Sequence, residues 1–352
     1  MPPVKVMLVD DVALVRSIIG RGLGEDPEIE LVGTAVNGQE ALEKIPELKP
    51  DVVVLDVEMP VLDGLSTLRR LMQAQPVPVV MLSAHTREGS WETVEALSLG
   101  AVDFVPKPSN LAGLPLVIGE LAAKIKTAAR ISLKGLTREK TRPKEGLSRT
   151  EPLPKPAPVK VRRELVVIGC STGGPAALQT VIPALPARLP AAVVVVQHMP
   201  VGFTGALAEY LAKRAVITVK HAADGDLVLP GQVLIAPAGS DFYFDGRPGT
   251  IRVRIVGEKE HPVPGSFRPS VDKVMASAAQ LYGEKVLGVL LTGMGRDGAI
   301  GMQEIKKRRG RTIVEAEESC VVFGMPRAAL ELGVADKVVP LKEIAQEIIN
   351  EL

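Results

Sequence analysis

The stretch "LVVIGCSTGG", Leu165 to Gly174, runs an apolar segment straight into small hydroxyl residues and two glycines. Ser171 at that junction is a candidate nucleophile, because a glycine turn can hold a hydroxyl clear of the strand before it. The same kind of turn can instead cradle a phosphate. A nucleophilic serine needs a base to remove its proton and a carboxylate to fix the tautomer of that base. Of the four histidines, His198 ends the run "AAVVVVQHM" and so belongs at the carboxyl edge of a sheet, beside Ser171. His221 also closes a strand-like run and is the second candidate, while His85 lies in the N-terminal half and His261 in a proline-flanked loop. Asp297 sits among Gly293, Gly295 and Gly298 in "GVLLTGMGRDGAIGM". It is either the orienting carboxylate or the N-cap of the next helix. The glycine-rich turn after Leu291 offers backbone N–H groups that can bind a developing oxyanion.

The phosphate alternative fares worse. A dinucleotide site needs G-x-G-x-x-G with an acid about 20 residues on, and a P-loop needs Gly-Lys followed by Ser or Thr. Gly169, Gly173 and Gly174 fit neither pattern.

A second constellation lies nearer the N-terminus. Asp10 and Asp11 close one strand-like run, Asp56 a second, Ser83 a third and Lys107 a fourth. Crowded carboxylates repel one another, so a hard divalent cation with oxygen ligands, most naturally Mg2+, stabilises such a group. A lysine beside them supplies a compact positive charge for an added phosphoryl group. Any one of these aspartates alone reads as a helix cap; together at strand ends they read as a site.

These residues have to be positioned by sheets. From Val4, "VKVMLVD", "ELVGTAV", "DVVVLDV", "VPVVMLSA" and "AVDFVPK" alternate with amphipathic segments, the pattern of a doubly wound parallel sheet. After Glu164 the alternation resumes with "LVVIGCST", "AAVVVVQHM", "AVITVKHA", "VLIAPAG", "KVLGVLLTG" and "RTIVEA", with helical patterns over 203–213 and 270–282. "DFYFDGRPGTIRVRIVG" predicts an antiparallel hairpin appended to that sheet. The fold class is therefore α/β, with two doubly wound domains, flavodoxin-like over residues 1–125 and Rossmann-like over 163–352. Residues 126–162 between them lose apolar periodicity and gather prolines at 152, 154, 156 and 158, as expected of an extended linker.

Two domains also suit 352 residues. The 42 basic and 41 acidic residues leave a net charge of +1, which argues against a nucleic-acid or anionic-membrane coat. Cys170 and Cys320 stand far apart in apolar segments and support neither a disulfide framework nor a zinc site. No signal-peptide pattern or apolar run of about 18 residues is present, so a cytoplasmic location is expected.

Residues 1–125 resemble the receiver domain of two-component response regulators, through Asp10, Asp11, Asp56 in "VLDVEMPVLDG", Ser83 in "MLSA" and Lys107 in "FVPKP". The resemblance implies that Asp56 accepts a phosphoryl group from a histidine kinase. It further implies Mg2+ held by Asp10, Asp11, Asp56 and the backbone carbonyl of Glu58, with Ser83 and Phe104 as switch residues and, in many members, a cis bond between Lys107 and Pro108. Over essentially its whole length the chain is similar to the chemotaxis protein-glutamate methylesterases, through "IGCSTGGP", "VVQHMP", "FRPSVD" and "LLTGMGRDGAIGM". The order Ser, His, Asp and the missing G-x-S-x-G separate it from the α/β-hydrolases. This second resemblance implies Ser171 as nucleophile, His198 as base and Asp297 as its orienter, with the N–H of Met294 an oxyanion donor and Thr172 and Arg268 lining the site. The implied substrate is a glutamate methyl ester on a chemoreceptor's cytoplasmic helices, with no cofactor for that chemistry and with glutamine deamidation as a second activity. The alternative is a response regulator whose second domain only binds a partner or nucleotide.

Overall fold

Runs of valine and leucine suit a pleated surface covered on both faces, and in the computed structural model they become the central strands of two parallel sheets. The structure describes residues 2–84, 87–107, 113–131, 163–247, 249–257 and 267–352. In the N-terminal domain β1 (Val4–Val9), β2 (Ile29–Ala35), β3 (Val52–Asp56), β4 (Val79–Ser83) and β5 (Asp103–Pro106) form a parallel sheet in the order β2-β1-β3-β4-β5. The helices α1 (Ala13–Gly24), α2 (Gly38–Leu48), α3 (Gly64–Ala74), α4 (Arg87–Ser98) and α5 (Leu114–Ala128) cover its faces. This order places β1 and β3 side by side at the switch of winding, so Asp10 and Asp56 leave neighbouring strands at their carboxyl ends. α5 continues through Ala128, so its last turn lies on the linker side of the boundary expected at residue 125. Most of the linker expected over 126–162, from residue 132 onward, lies outside the described residues, as does Pro108 and with it the bond from Lys107.

The C-terminal sheet is parallel throughout. It comprises β6 (Leu165–Cys170), β7 (Ala192–Gln197), β8 (Thr218–His221), β9 (Gln232–Ile235), β12 (Val286–Leu290), β13 (Arg311–Glu315) and β14 (Lys337–Val339), ordered β14-β13-β12-β6-β7-β9-β8. Winding reverses at β6, which lies between β12 and β7, and Ser171 leaves it there. β14 spans three residues, too short for period-2 patterning to announce it. The expected hairpin forms as β10 (Ser240–Asp245) and β11 (Arg252–Gly257), but neither pairs with a strand of the parallel sheet; β11 adds only an isolated bridge to Leu227, and the hairpin packs beside α8 (Val271–Tyr282). It is thus a separate two-stranded sheet, whose Phe242 and Phe244 turn into the core on the α8 face of the parallel sheet. The remaining helices are α6 (Gly174–Val181), α7 (Phe203–Ala212), α9 (Ala299–Lys307), α10 (Met325–Glu331) and α11 (Leu341–Glu351). The side chains of β6 and β7 are essentially fully buried. Each large aliphatic among them stabilises the sheet by about 1.5–3 kcal/mol.

The turn after β6 depends on glycine. Gly173 holds φ at 79°, and a Cβ there would lie 2.5 Å from the Cβ of Val321. A Cβ on Gly174 would meet the side-chain oxygen of Gln197 at 2.1 Å. Gly173→Ala is therefore expected to destabilise the C-terminal domain by at least about 1–2 kcal/mol from the left-handed backbone alone. Urea unfolding monitored by circular dichroism checks this; an unchanged midpoint would contradict it.

Candidate active site and phosphoacceptor pocket

Three strand tips of the C-terminal sheet carry the hydroxyl, the imidazole and the carboxylate. Cys170 pairs with Gln197 in the β6–β7 register, and the N–H of His198 donates to the carbonyl of Cys170 at 3.1 Å, so Ser171 and His198 emerge side by side. Gln197 ties the two tips together, donating from its side-chain amide to the carbonyls of Ser171 (3.0 Å) and His198 (2.9 Å). It also accepts from the thiol of Cys170 at 3.0 Å, and that thiol is buried, with burial raising it far above the usual thiol range. Cys170 is thus a core residue here, as a thiol that cannot ionise is inert.

Asp297 reaches this pair from the loop after β12. Its Oδ2 accepts from His198 Nε2 at 2.9 Å and from the N–H of Val271 at 2.7 Å. Its Oδ1 accepts from the Ser270 hydroxyl and the N–H of Asp272, both at 2.9 Å. Burial pushes this carboxyl up, but the bonds from His198 and the two α8 N–H groups outweigh it and hold the group at about 2. An ionised carboxylate only accepts, so His198 carries its proton on Nε2. Nδ1 is buried and has no hydrogen-bond partner among the described residues, which leaves its lone pair available to a neighbouring hydroxyl. Asp297 does cap a helix, though not the one that follows it: it caps α8, while Gly298 stands at the N-cap of α9.

Ser171, Thr172, His198, Arg268 and Met294 all line one cavity of about 660 Å³. Phe267, 54% exposed, stacks on the His198 ring with centroids 4.2 Å apart and planes 6° from parallel. Gly293 allows the Met294 loop to approach, since a Cβ on it would lie 2.9 Å from the Cβ of Ser171. Behind that loop the buried Glu315 accepts the Thr292 N–H at 2.8 Å and the Ser319 hydroxyl at 3.0 Å. His221 stays away from this group: β8 is at the sheet edge, two strands from β7, and His221 pairs with the hydroxyl of Thr204 at 3.0 Å. His85 and His261 lie outside the described residues.

The N-terminal domain closes the other side of the cavity. Asp103, Phe104, Pro106, Glu120 and Lys124 line it, facing Ser171 and His198. Thr172 donates its hydroxyl to Asp103 Oδ2 at 2.6 Å, and Lys124 holds the same carboxylate at 3.1 Å. Phe104 packs on Phe203 of α7 with centroids 4.6 Å apart, and Trp91 of α4 meets Tyr210 at 5.4 Å. The core of the N-terminal domain therefore runs on into Phe203 without a break.

In the carboxylate pocket of the N-terminal domain Lys107 bridges Asp10 and Asp56, 2.8 Å from a carboxylate oxygen of each. Burial raises Asp56 to about 6, with Asp10 adding to the rise and Lys107 opposing it. The Lys107 ammonium is itself lowered by burial and raised further by its two carboxylates, for a net rise. Asp10, Asp11 and Asp56 bring carboxylate oxygens within 4.8 Å of one another, a hard-oxygen set that fits Mg2+. Glu58 follows Asp56 on the same loop and is exposed. Ser83 is buried and accepts the Thr93 hydroxyl at 2.5 Å.

Of these residues, sequence reasoning missed Gln197, Phe267, Ser270, Glu315 and the cross-domain partners Asp103 and Lys124. Gln197 carried a signal, a polar residue at the buried end of a four-valine run; Ser270 lay inside "FRPSVD". Asp103 and Lys124 carried none, because their role depends on a contact with another domain.

Fold and site together define a hydrolytic α/β enzyme joined to a response-regulator receiver. Residues 166–348 match the family described as CheB methylesterase, and residues 6–118 match the response regulator receiver domain. The chain belongs to the CheB methylesterase family and is a carboxylic-ester hydrolase. It is 48% identical over 345 residues to the protein-glutamate methylesterase/protein-glutamine glutaminase 1 of Carboxydothermus hydrogenoformans, covering 98% of each chain. It is 47% identical to the Archaeoglobus fulgidus protein-glutamate methylesterase/protein-glutamine glutaminase, covering 99% of this chain and 98% of that one. The crystal structure of the Thermotoga maritima CheB methylesterase catalytic domain aligns with a TM-score of 0.52 at 42% identity, over 54% of this chain and 99% of that one. Among the described residues no helix is long and apolar enough to cross a membrane.

Proposed function

We propose that this enzyme hydrolyses γ-glutamyl methyl esters on the cytoplasmic helices of a chemoreceptor, acting in the cytoplasm, and that the same site deamidates receptor glutamines. The observation that carries this reading is the carboxylate-anchored imidazole beside Ser171, at the mouth of a cavity closed by the receiver. Ser171 is the nucleophile. His198 Nδ1 takes its proton as the hydroxyl attacks the ester carbonyl, and the Met294 N–H steadies the oxyanion while Thr172 and Arg268 line the site. The imidazolium returns the proton to the departing methoxide, releasing methanol. A water then attacks the acyl-enzyme with the same base, freeing glutamate and restoring the serine. With a primary amide, ammonia leaves in place of methanol.

In the receiver, Asp56 is the phosphoacceptor and a histidine kinase the donor. Asp10, Asp11, Asp56 and the Glu58 carbonyl would hold Mg2+, which supplies charge neutralisation for the phosphoryl oxygens. Lys107, now shared between two carboxylates, is placed to take a phosphoryl oxygen instead. Ser83 and Phe104 transmit that change, and Phe104 faces the catalytic domain through Phe203. On this reading the unphosphorylated receiver is a lid on Ser171, and phosphorylation biases it open.

A chain beginning at Arg163 is therefore expected to release methanol from methylated receptor membranes faster than the unphosphorylated full chain, by about tenfold for a lid closed nine parts in ten. An equal or slower rate would sink the lid. Chelation of divalent ions is expected to stop phosphorylation of the full chain while leaving hydrolysis by the shorter chain unchanged. Loss of both activities would place a metal requirement in the esterase chemistry and contradict the assignment.

A further inference from the structure

Two carboxylates cross between α8 and α9 in opposite directions. Asp297, just ahead of α9, accepts the N–H groups that open α8. Asp272, in the first turn of α8, returns the exchange: its Oδ1 accepts from the N–H of Gly298 at 2.8 Å and from the N–H of Gly301 at 2.7 Å, at the start of α9. The helices meet so closely there that a Cβ on Gly301 would lie 2.9 Å from the Cα of Asp272. Burial raises the Asp272 carboxyl, the charge of Asp297 adds to the rise, and the two glycine N–H groups oppose it. Keeping two like charges this close is unfavourable on its own. What the arrangement secures is position, since Gly298 is the residue next to Asp297 and its N–H is held by Asp272.

We infer that Asp272 is a positioning residue for ester hydrolysis: it touches neither substrate nor imidazole, but clamps the far end of the 293–298 loop so that Asp297 stays aligned on His198 Nε2. This rests on the esterase reading above. The requirement is geometric, an acceptor at one point able to take two N–H groups. Charge and general helix capping are secondary. An acceptor of the right reach without charge should therefore serve, and a charged group of the wrong reach should not.

The test uses the phosphorylated full chain with Asp272→Asn and Asp272→Glu. Methanol release is measured across receptor concentration, with Tm, and with the far-downfield proton NMR resonance of His198 Nε2–H. Asp272→Asn is expected to keep kcat within about twofold and to keep the resonance, because its amide oxygen can accept both N–H groups. Asp272→Glu is expected to lower kcat by about tenfold or more with KM unchanged, and to shift or broaden the resonance, since small misplacements of a catalytic group are that costly. If Asp272→Glu folds poorly, Asp272→Ser, with a shorter acceptor, makes the same comparison. The inference is overturned if the misfitted variant matches wild type, if Asp272→Asn falls as far as it does, or if activity loss follows only the folded fraction. Should wild type release no methanol, the esterase reading fails, while the His198 resonance still decides whether Asp272 governs the alignment.

Discussion

Ser171→Ala is expected to lower methanol release from methylated receptor membranes by on the order of 10⁴-fold to 10⁶-fold, the range seen when a single triad member is removed. Without the hydroxyl no acyl-enzyme forms, and the N–H groups around Met294 can assist only direct attack by water. Ser171 is half-buried in the cavity, and its backbone N–H is already engaged by the Thr292 carbonyl at 3.1 Å, so loss of one oxygen should leave the turn as it is. Phosphorylation of Asp56 by its kinase should continue at the wild-type rate, which separates a lost nucleophile from a misfolded chain. Residual hydrolysis above about a hundredth of wild type would exclude Ser171 as the nucleophile.

Asp297→Asn is expected to reduce kcat by on the order of 10⁴-fold, because the substitution reverses the tautomer of the base. Asp297 accepts four hydrogen bonds, from His198 Nε2, the N–H groups of Val271 and Asp272, and the Ser270 hydroxyl. An amide nitrogen on either side meets a backbone N–H, that of Val271 or that of Asp272, and forfeits that bond. Facing His198, it donates to Nε2 and moves the imidazole proton to Nδ1, where it can no longer accept from Ser171. Stability should fall as well. The folded carboxyl sits near 2, below its ordinary value of 3.8, so its contribution of about 2 kcal/mol is complete above that ordinary value and is lost as pH falls towards 2. Urea midpoints of wild type and Asp297→Asn should therefore differ at pH 7 and converge at the acid end. A gap that persists unchanged to pH 2 would contradict this account, as would a kcat within tenfold of wild type.

Much of this architecture was legible because parallel strands buried on both faces must be continuous apolar runs, and their polar terminators then mark the site edge. Ser171, His198 and Asp56 are such terminators. From its own neighbourhood Asp297 was legible only as a pair of possibilities, cap or orienter, with the family resemblance favouring the second, and the structure shows why: the carboxylate caps α8 and binds His198 at once, and the helix it caps begins 26 residues earlier. Local patterning sees only the helix next along the chain. The hairpin was legible from its turns, but its separation from the parallel sheet was not, since period-2 alternation reports a pair of strands without naming a third. The Asp103–Thr172 bond joins residues 69 apart in different domains, and neither residue departs from what its own strand or turn would need.

One strand of the receiver concentrates the whole device. β5 is the outermost strand of its sheet, so catalytic-domain groups can reach residues pointing to either side of it: Asp103 meets Thr172 and Phe104 meets Phe203. Four residues past Asp103, Lys107 grips both aspartates of the phosphoacceptor pocket. If the receiver acts as the proposed lid, input and latch thus sit on one short rod with no gearing between them. Hydrogen bonds weaken steeply with length and angle, so on the lid reading proposed above a slide of that rod by a fraction of an ångström, as Lys107 changes its grip, would be enough to unfasten Thr172 next to Ser171.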